Sequence, residues 1–218
     1  MRTEVACHEE LMLATVGKKR KASLENVLVE SFVLTQAIAW ESFVHDLVLA
    51  YIEDDSSKFC DDLKKRMDSL LRERFGPSAT RVFKYQKPRP SQLPSLADPK
   101  GWNITAKNSD DFASLANRLL PAATALKFSL ARPDRTFLDF FLSMRNYLSH
   151  LSDGARSQLR TAHSRLDVVS GTQPSPNLAI AGDLQNVAIF LKSRPPGQTD
   201  SRAISICNRV TSIAAQLA

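Results

Sequence analysis

Apolar residues in "SLENVLVESFVLTQAIAWESFVHDLVLAYIE", Ser23 to Glu53, recur at three- and four-residue steps on more than one face. No Gly or Pro interrupts the run and Ser23 is a suitable N-cap, so the pattern predicts one long helix, buried over much of its girth. A second helix is predicted over Ser57 to Phe75, where Phe59, Leu63, Met67, Leu70 and Leu71 form a stripe among balanced charges. Its acids come mostly early and its bases late, as the helix dipole favours, and Gly76 and Pro77 end it.

The pattern then breaks. Between Tyr85 and Thr105, Pro88, Pro90, Pro94 and Pro99 rule out regular helix and interior strand and predict a long connection. Helical periodicity returns over Asp110 to Ala131, with Pro121 starting a second helix after a short break. Pro133 and Asp134 then introduce "RTFLDFFLSMRNYLSHL", whose core is expected from Phe137, Leu138, Phe141 and Leu148. Further helices are expected at about 154–166, 182–192 and 200–217, with "SGTQPSPN" in a loop over Val168 to Ala181. Strand signals are weak and no internal repeat is present. The expectation is an all-α fold: an antiparallel helical bundle around one long central helix, a single domain over 1–218 with a Pro-rich basic loop at about 76–107.

A chain of 218 residues, 43% hydrophobic and 24% charged, can bury the core of such a domain. The net charge of +6 permits a polyanionic partner without requiring one. Its distribution says more. From Gly76 to Lys107 the chain carries Arg81, Lys84, Lys87, Arg89, Lys100 and Lys107 against Asp98, whereas residues 23–53 carry five acids and no Lys or Arg. Lys84, Lys87 and Arg89 are therefore candidate contacts for RNA phosphates, a plain linker being the alternative. The run Lys18 to Lys21 reads as a solvated face before the first helix. Cys7, Cys60 and Cys207 are odd in number and far apart, which points to a reducing compartment and to no zinc site. No run of about 18 consecutive apolar residues occurs, and His8, Glu9 and Glu10 break the N-terminal apolar stretch. Neither a membrane span nor a signal peptide is expected, and the expected location is the cytoplasm.

One polar insert carries chemistry. In "FFLSMRNYLSH", Asn146 and His150 share a helix face and Arg145 and Ser149 share the neighbouring one. Arg145 and His150 lie about 140° apart. They meet only through the length of the arginine, the end of the helix, or a second copy of the chain. A histidine exchanges a proton near neutral pH, an arginine forks onto phosphate oxygens, and RNA brings its own nucleophile in the 2′-hydroxyl. Metal-free RNA cleavage needs little more. The bland alternative is a solvated cap at a helix end. Glu30 and Glu41, eleven residues apart, fall at nearly one angle on a face with Leu34, Ala37, Ile38, Val44 and Val48. If buried they need partners, for which Arg145 is a candidate; otherwise they line the exposed edge of the stripe. His45 follows Glu41 by four residues and is expected to pair with it, while His8 and His163 are given no role.

The segment "RNYLSH", Arg145 to His150, resembles the R-x4-6-H motif of HEPN domains, with the common polar residue, Asn146, directly after the arginine. Its setting on a late helix, behind an early helix bearing "AWESFVHDL", is similar to the RiboL-PSP-HEPN branch across roughly residues 23 to 166. The resemblance implies homodimers with the two motifs facing across a cleft, and cofactor-free, metal-independent cleavage by 2′-hydroxyl attack. It further implies a toxin or abortive-infection effector, partnered by an antitoxin or nucleotidyltransferase. Carried over by position, Arg145 and His150 would be catalytic and Asn146 would orient the histidine or the phosphate, with Ser149, Tyr147, Glu41 and Glu30 supporting. A catalytically silent HEPN-like module that binds a protein or nucleotide is the alternative, and a helical scaffold without an active site is a third.

Overall fold

The computed structural model describes residues 2–17, 21–101, 103–169, 184, 186–195 and 197–218. Its helices are α1 (Arg2–Ala14), α2 (Lys21–Asp54), α3 (Ser57–Phe75), α4 (Ala79–Val82), α5 (Leu93–Ala97), α6 (Ser109–Leu119), α7 (Ala122–Lys127), α8 (Arg132–His150), α9 (Asp153–Val169), α10 (Val187–Lys192) and α11 (Arg202–Leu217). No strand occurs among the described residues, so the fold is all-α, as the periodicity predicts. Lys18 to Arg20 of the basic run, Trp102, and residues 170–183 of the expected loop and helix start lie outside the described residues.

Three local differences from the sequence pattern have physical causes. Helix α1 is unforeseen because His8 looks like a polar interruption; its ring is 6% exposed and stacks on Phe32 with centroids 4.1 Å apart and planes at 12°. The Pro-rich connection holds a 3-10 turn, Pro90–Gln92, and α5. Both begin with a proline in the first turn, where the missing N–H leaves no bond unmade, and the Arg89 N–H donates to Gln92 Oε1 at 2.9 Å. Helix α2 is buried along a narrower stripe than expected: Val33, Ala37, Val48 and Ile52 are wholly enclosed, but Ile38 is 61% exposed and Leu24 and Val27 also reach solvent. By length and composition alone α2 is long and apolar enough to cross a bilayer, although no continuous apolar run marks it in the sequence. The core helix of a soluble protein can have the same length and composition.

By their contacts the residues form two compact units. Unit 1 comprises Met1–Trp40, Lys107–Ser109 and Leu130–Ala218; unit 2 comprises Glu41–Ala106 and Asp110–Ser129.

In unit 1, α8 supplies the largest share of the core. Pro133 and Asp134 start it, and Phe137, Leu138, Phe140, Phe141, Met144 and Leu148 are buried along one side. α9 returns along α8 to form the most extensive helix pair, burying Ala155, Leu159, Ala162 and His163. His163 sits among Phe140 and Phe190 at ring distances of 5.7 and 5.5 Å, which ties α8, α9 and α10 together. At the other end of α8, buried Asp134 pairs with Arg209 of α11, and the Asp139 carboxylate accepts the Ser109 N–H at 2.7 Å. Asp134→Ala should cost about 2–3 kcal/mol, less than for a wholly enclosed pair because Arg209 keeps solvent contact. Thermal unfolding checks this, and a loss below measurement error would contradict the anchoring role.

In unit 2, Phe112 and Phe128 meet at 5.1 Å, and Tyr51 approaches Phe128 edge-on at 6.1 Å. His45 Nδ1 accepts the backbone N–H of Ile104 at 3.0 Å, fastening the end of the Pro-rich connection to α2. This bond across 59 positions, and not only a neighbour on its own helix, orients the ring.

Candidate functional site

The RNYLSH segment forms the last turn and a half of α8. The apolar side of the helix continues through it, so Tyr147 and Leu148 are buried while Arg145 and Asn146 are half-exposed and Ser149 and His150 are exposed. His150 is the final helical residue, a cationic type where the macrodipole favours one. Leu151 follows with φ 49°, a left-handed conformation usually left to Gly or Asn, and its N–H donates to Tyr147 O at 2.7 Å. Ser152 then caps α9: its hydroxyl accepts the Ala155 N–H at 3.2 Å and its carbonyl the Arg156 N–H at 2.9 Å. This two-residue turn holds the polar end of α8 on a rigid helical hairpin.

The hairpin brings α9 residues to the site that α8 alone does not reveal. Arg156 Nη2 donates to the Tyr147 hydroxyl at 3.0 Å, and its guanidinium lies 5.5 Å from the Tyr147 ring centroid. The hydrogen bond to Tyr147 holds the Arg156 guanidinium above its ordinary range. Asn146 Nδ2 donates to Gln158 Oε1 at 3.4 Å, so the amide that follows the arginine is oriented by α9. Arg156 and Gln158 are the residues that sequence reasoning misses, and their only sequence signal is position on the helix after a tight turn.

Of the supporting residues, Tyr147, Ser149 and Glu30 belong to unit 1 with the motif, while Glu41 and the bases Lys84, Lys87 and Arg89 belong to unit 2. All three bases are exposed. Glu30 is half-buried, forms no ion pair among the described residues, and is raised above the ordinary carboxylate range by burial alone. Of the two alternatives for this carboxylate, a partnered buried group or the edge of the stripe, its half-exposed position fits the edge. The consequence has a definite sign. Because the folded state disfavours ionised Glu30, the group costs nothing below its unfolded pKa and destabilises the fold as pH rises through its folded one. Glu30→Gln should raise the melting temperature at pH 7 only slightly, because solvent screens a half-exposed carboxylate, and the gain should vanish toward pH 3. A gain independent of pH would show that ionisation is not the cause.

Two cavities have their linings among the described residues. One of about 430 Å³ in unit 1 is bordered by His8, Met12, Val29, Lys192, Arg194 and Ser201, and one of about 240 Å³ in unit 2 by Arg66, Asp98, Asn103 and Arg118 among others. Neither of these two is lined by Arg145, Asn146 or His150. Among the described residues no group of three or more His, Cys, Asp or Glu is arranged to hold a metal ion. Comparison of the chain with family models, with curated proteins and with solved structures returned no match, so the chemistry of the site is argued from its own residues.

Proposed function

We propose that the chain is a HEPN-type endoribonuclease that cuts RNA without a metal, through attack of the 2′-hydroxyl on the adjacent phosphorus. The observation that carries this reading is the placement of His150: exposed, at the end of a rigidly held helix, one turn beyond an asparagine oriented from α9 and within the same segment as a half-exposed arginine. His150 takes the proton of the 2′-hydroxyl as the new P–O bond forms. Arg145 stabilises the charge that accumulates on the phosphorane oxygens. The P–O5′ bond breaks, the leaving oxygen is protonated, and the products end in a 2′,3′-cyclic phosphate and a 5′-hydroxyl.

Two copies of the chain complete this site. Arg145 and His150 point about 140° apart on their helix, and Leu151, 67% exposed beside the histidine, offers an apolar contact where a second motif would approach. A second His150 would also supply the acid for the leaving oxygen. A cytoplasmic toxin or abortive-infection effector, held in check by an antitoxin or nucleotidyltransferase partner, fits such an activity.

Purified protein should cleave single-stranded RNA in the presence of a chelator and scatter light as a dimer at micromolar concentration. Strict dependence on added magnesium would contradict the mechanism, and a monomer would contradict the shared site. The second reading, a silent HEPN-like binding module, is favoured by His150 also fitting a plain dipole-complementing role in the last helical turn.

A further inference from the structure

The end of α3 and the start of the Pro-rich connection expose aromatic surface that no helix covers. Phe75 is 71% and Phe83 54% exposed, and their ring centroids lie 6.4 Å apart with planes at 34°. Val82 between them is 75% exposed. Exposed rings in contact with each other are uncommon on a protein surface and mark a place that is covered in use.

The backbone holds the two rings in place. Gly76, with φ 82°, ends α3, and its N–H donates to Arg72 O at 3.0 Å. The chain turns through Pro77, and the Ala79 N–H returns to Gly76 O at 3.1 Å before α4 closes with the Phe83 N–H on Ala79 O at 3.0 Å. Two residues later the chain is pinned again: Tyr85 lies beside Cys60 and Asp61 of α3, and burial pushes its phenol up to about 12. The rings are thus presented by a short, braced segment.

Charge identifies the occupant. Between residues 72 and 89 stand six bases, Arg72, Arg74, Arg81, Lys84, Lys87 and Arg89, and one acid, Glu73. All six bases are exposed. Arg72, Arg74, Arg81 and Lys84 lie within three residues of a ring along the chain, whereas Lys87 faces Asp55 before the start of α3; a hydrophobic protein helix has no use for four such cations beside two phenyl rings. Bare bases with a phosphate backbone match both parts, since every base has a π-face to stack and every linkage a negative charge to neutralise. Duplexes keep their bases stacked internally and do not offer those faces.

We propose that the Phe75–Phe83 surface of unit 2, with Arg72, Arg74, Arg81 and Lys84 flanking its rings along the chain, is a stacking platform for single-stranded nucleic acid. It deepens the ribonuclease reading, on which the choice of RNA as natural ligand rests, by naming where substrate is gripped outside the cleavage motif.

The test uses the full chain and a fluorescein-labelled 2′-O-methyl oligouridylate of about twelve nucleotides, within the site sizes of single-strand binders. This probe has no free 2′-hydroxyl and is not cut. Anisotropy titration at low salt should show Phe75→Ala and Phe83→Ala each weakening binding about tenfold, the scale of a lost base–aromatic stack. The double variant should weaken it further, and Phe75→Tyr/Phe83→Tyr should bind as the wild type does. Because both side chains are exposed, the melting temperature should stay within a few degrees in all of them. His150→Ala should bind the probe normally, so loss of its cleavage bears only on the motif. Undiminished affinity in the Phe75→Ala/Phe83→Ala variant, or no binding by the wild type, overturns the platform and leaves the cleavage proposal standing. Loss of self-association in that variant with probe binding intact would also overturn it, marking the patch as a face between protein copies.

Discussion

His150→Ala should lower RNA cleavage by about 10²-fold or more, the scale of a lost general acid or base. Arg145→Ala should cost about as much, through the stabilisation withdrawn from the phosphorane oxygens. Neither change should unfold unit 1, since His150 is exposed and Arg145 half-exposed, while the enclosure of α8 rests on Phe137, Phe140, Phe141 and Met144. If the pair were only a helix cap, each substitution would lower stability by up to about 1 kcal/mol and leave cleavage intact. Activity and melting temperature measured on the same preparations separate these outcomes. Asn146→Ala should have a smaller effect, because the amide orients rather than reacts and already leans on Gln158.

Phe141→Ala should produce the largest loss of stability, about 3–5 kcal/mol. Its ring is fully enclosed and stacks with Phe137 at 6.3 Å and 11°, so the deletion leaves a cavity that the rigid α8–α9 pair cannot close. Urea unfolding should show the midpoint falling with little change in slope. A loss below about 1 kcal/mol would mean that the core of unit 1 is looser than the packing indicates. Cleavage should fall in parallel with the folded fraction, in contrast to His150→Ala, where fold persists and activity goes.

Much of the fold was legible because local chemistry punctuates the chain. α3 runs from Ser57 to Phe75 as its stripe and the Gly76–Pro77 stop predict, and the break at Pro121 separates α6 from α7. The start of α8 at Pro133 and its end near His150 follow from the same signals. Where expectation and structure part, the deciding partner is distant in sequence. His8 reads as an interruption until its ring is seen against Phe32, and the His45 ring also accepts the N–H of Ile104, 59 positions on, a bond no local spacing announces. The exposure of Ile38 on α2 and of Leu70 on α3 depends on which neighbours arrive, which no period encodes.

At the candidate site, residue types and their helical angles were readable, as was the angular separation of Arg145 from His150. The contributions of Arg156 and Gln158 were not, because they require the left-handed Leu151 that folds α9 back upon α8. Leu at that position is an unusual choice, and the composition gives no warning of the turn. The stripe left open whether Glu30 is buried or lies at its edge, because a common angle on α2 fixes a direction and not the depth of what packs there; the group is half-buried.

The central claim is that the Arg145–His150 segment performs metal-free transesterification of RNA. Mass spectrometry of a defined single-stranded RNA, incubated in a chelator with wild-type protein and with His150→Ala from parallel preparations, tests it most directly. The account predicts wild-type fragments ending in 2′,3′-cyclic phosphate, with the variant leaving the RNA essentially whole. Equal amounts of the same fragments from His150→Ala, or intact RNA with the folded wild-type dimer, would contradict it.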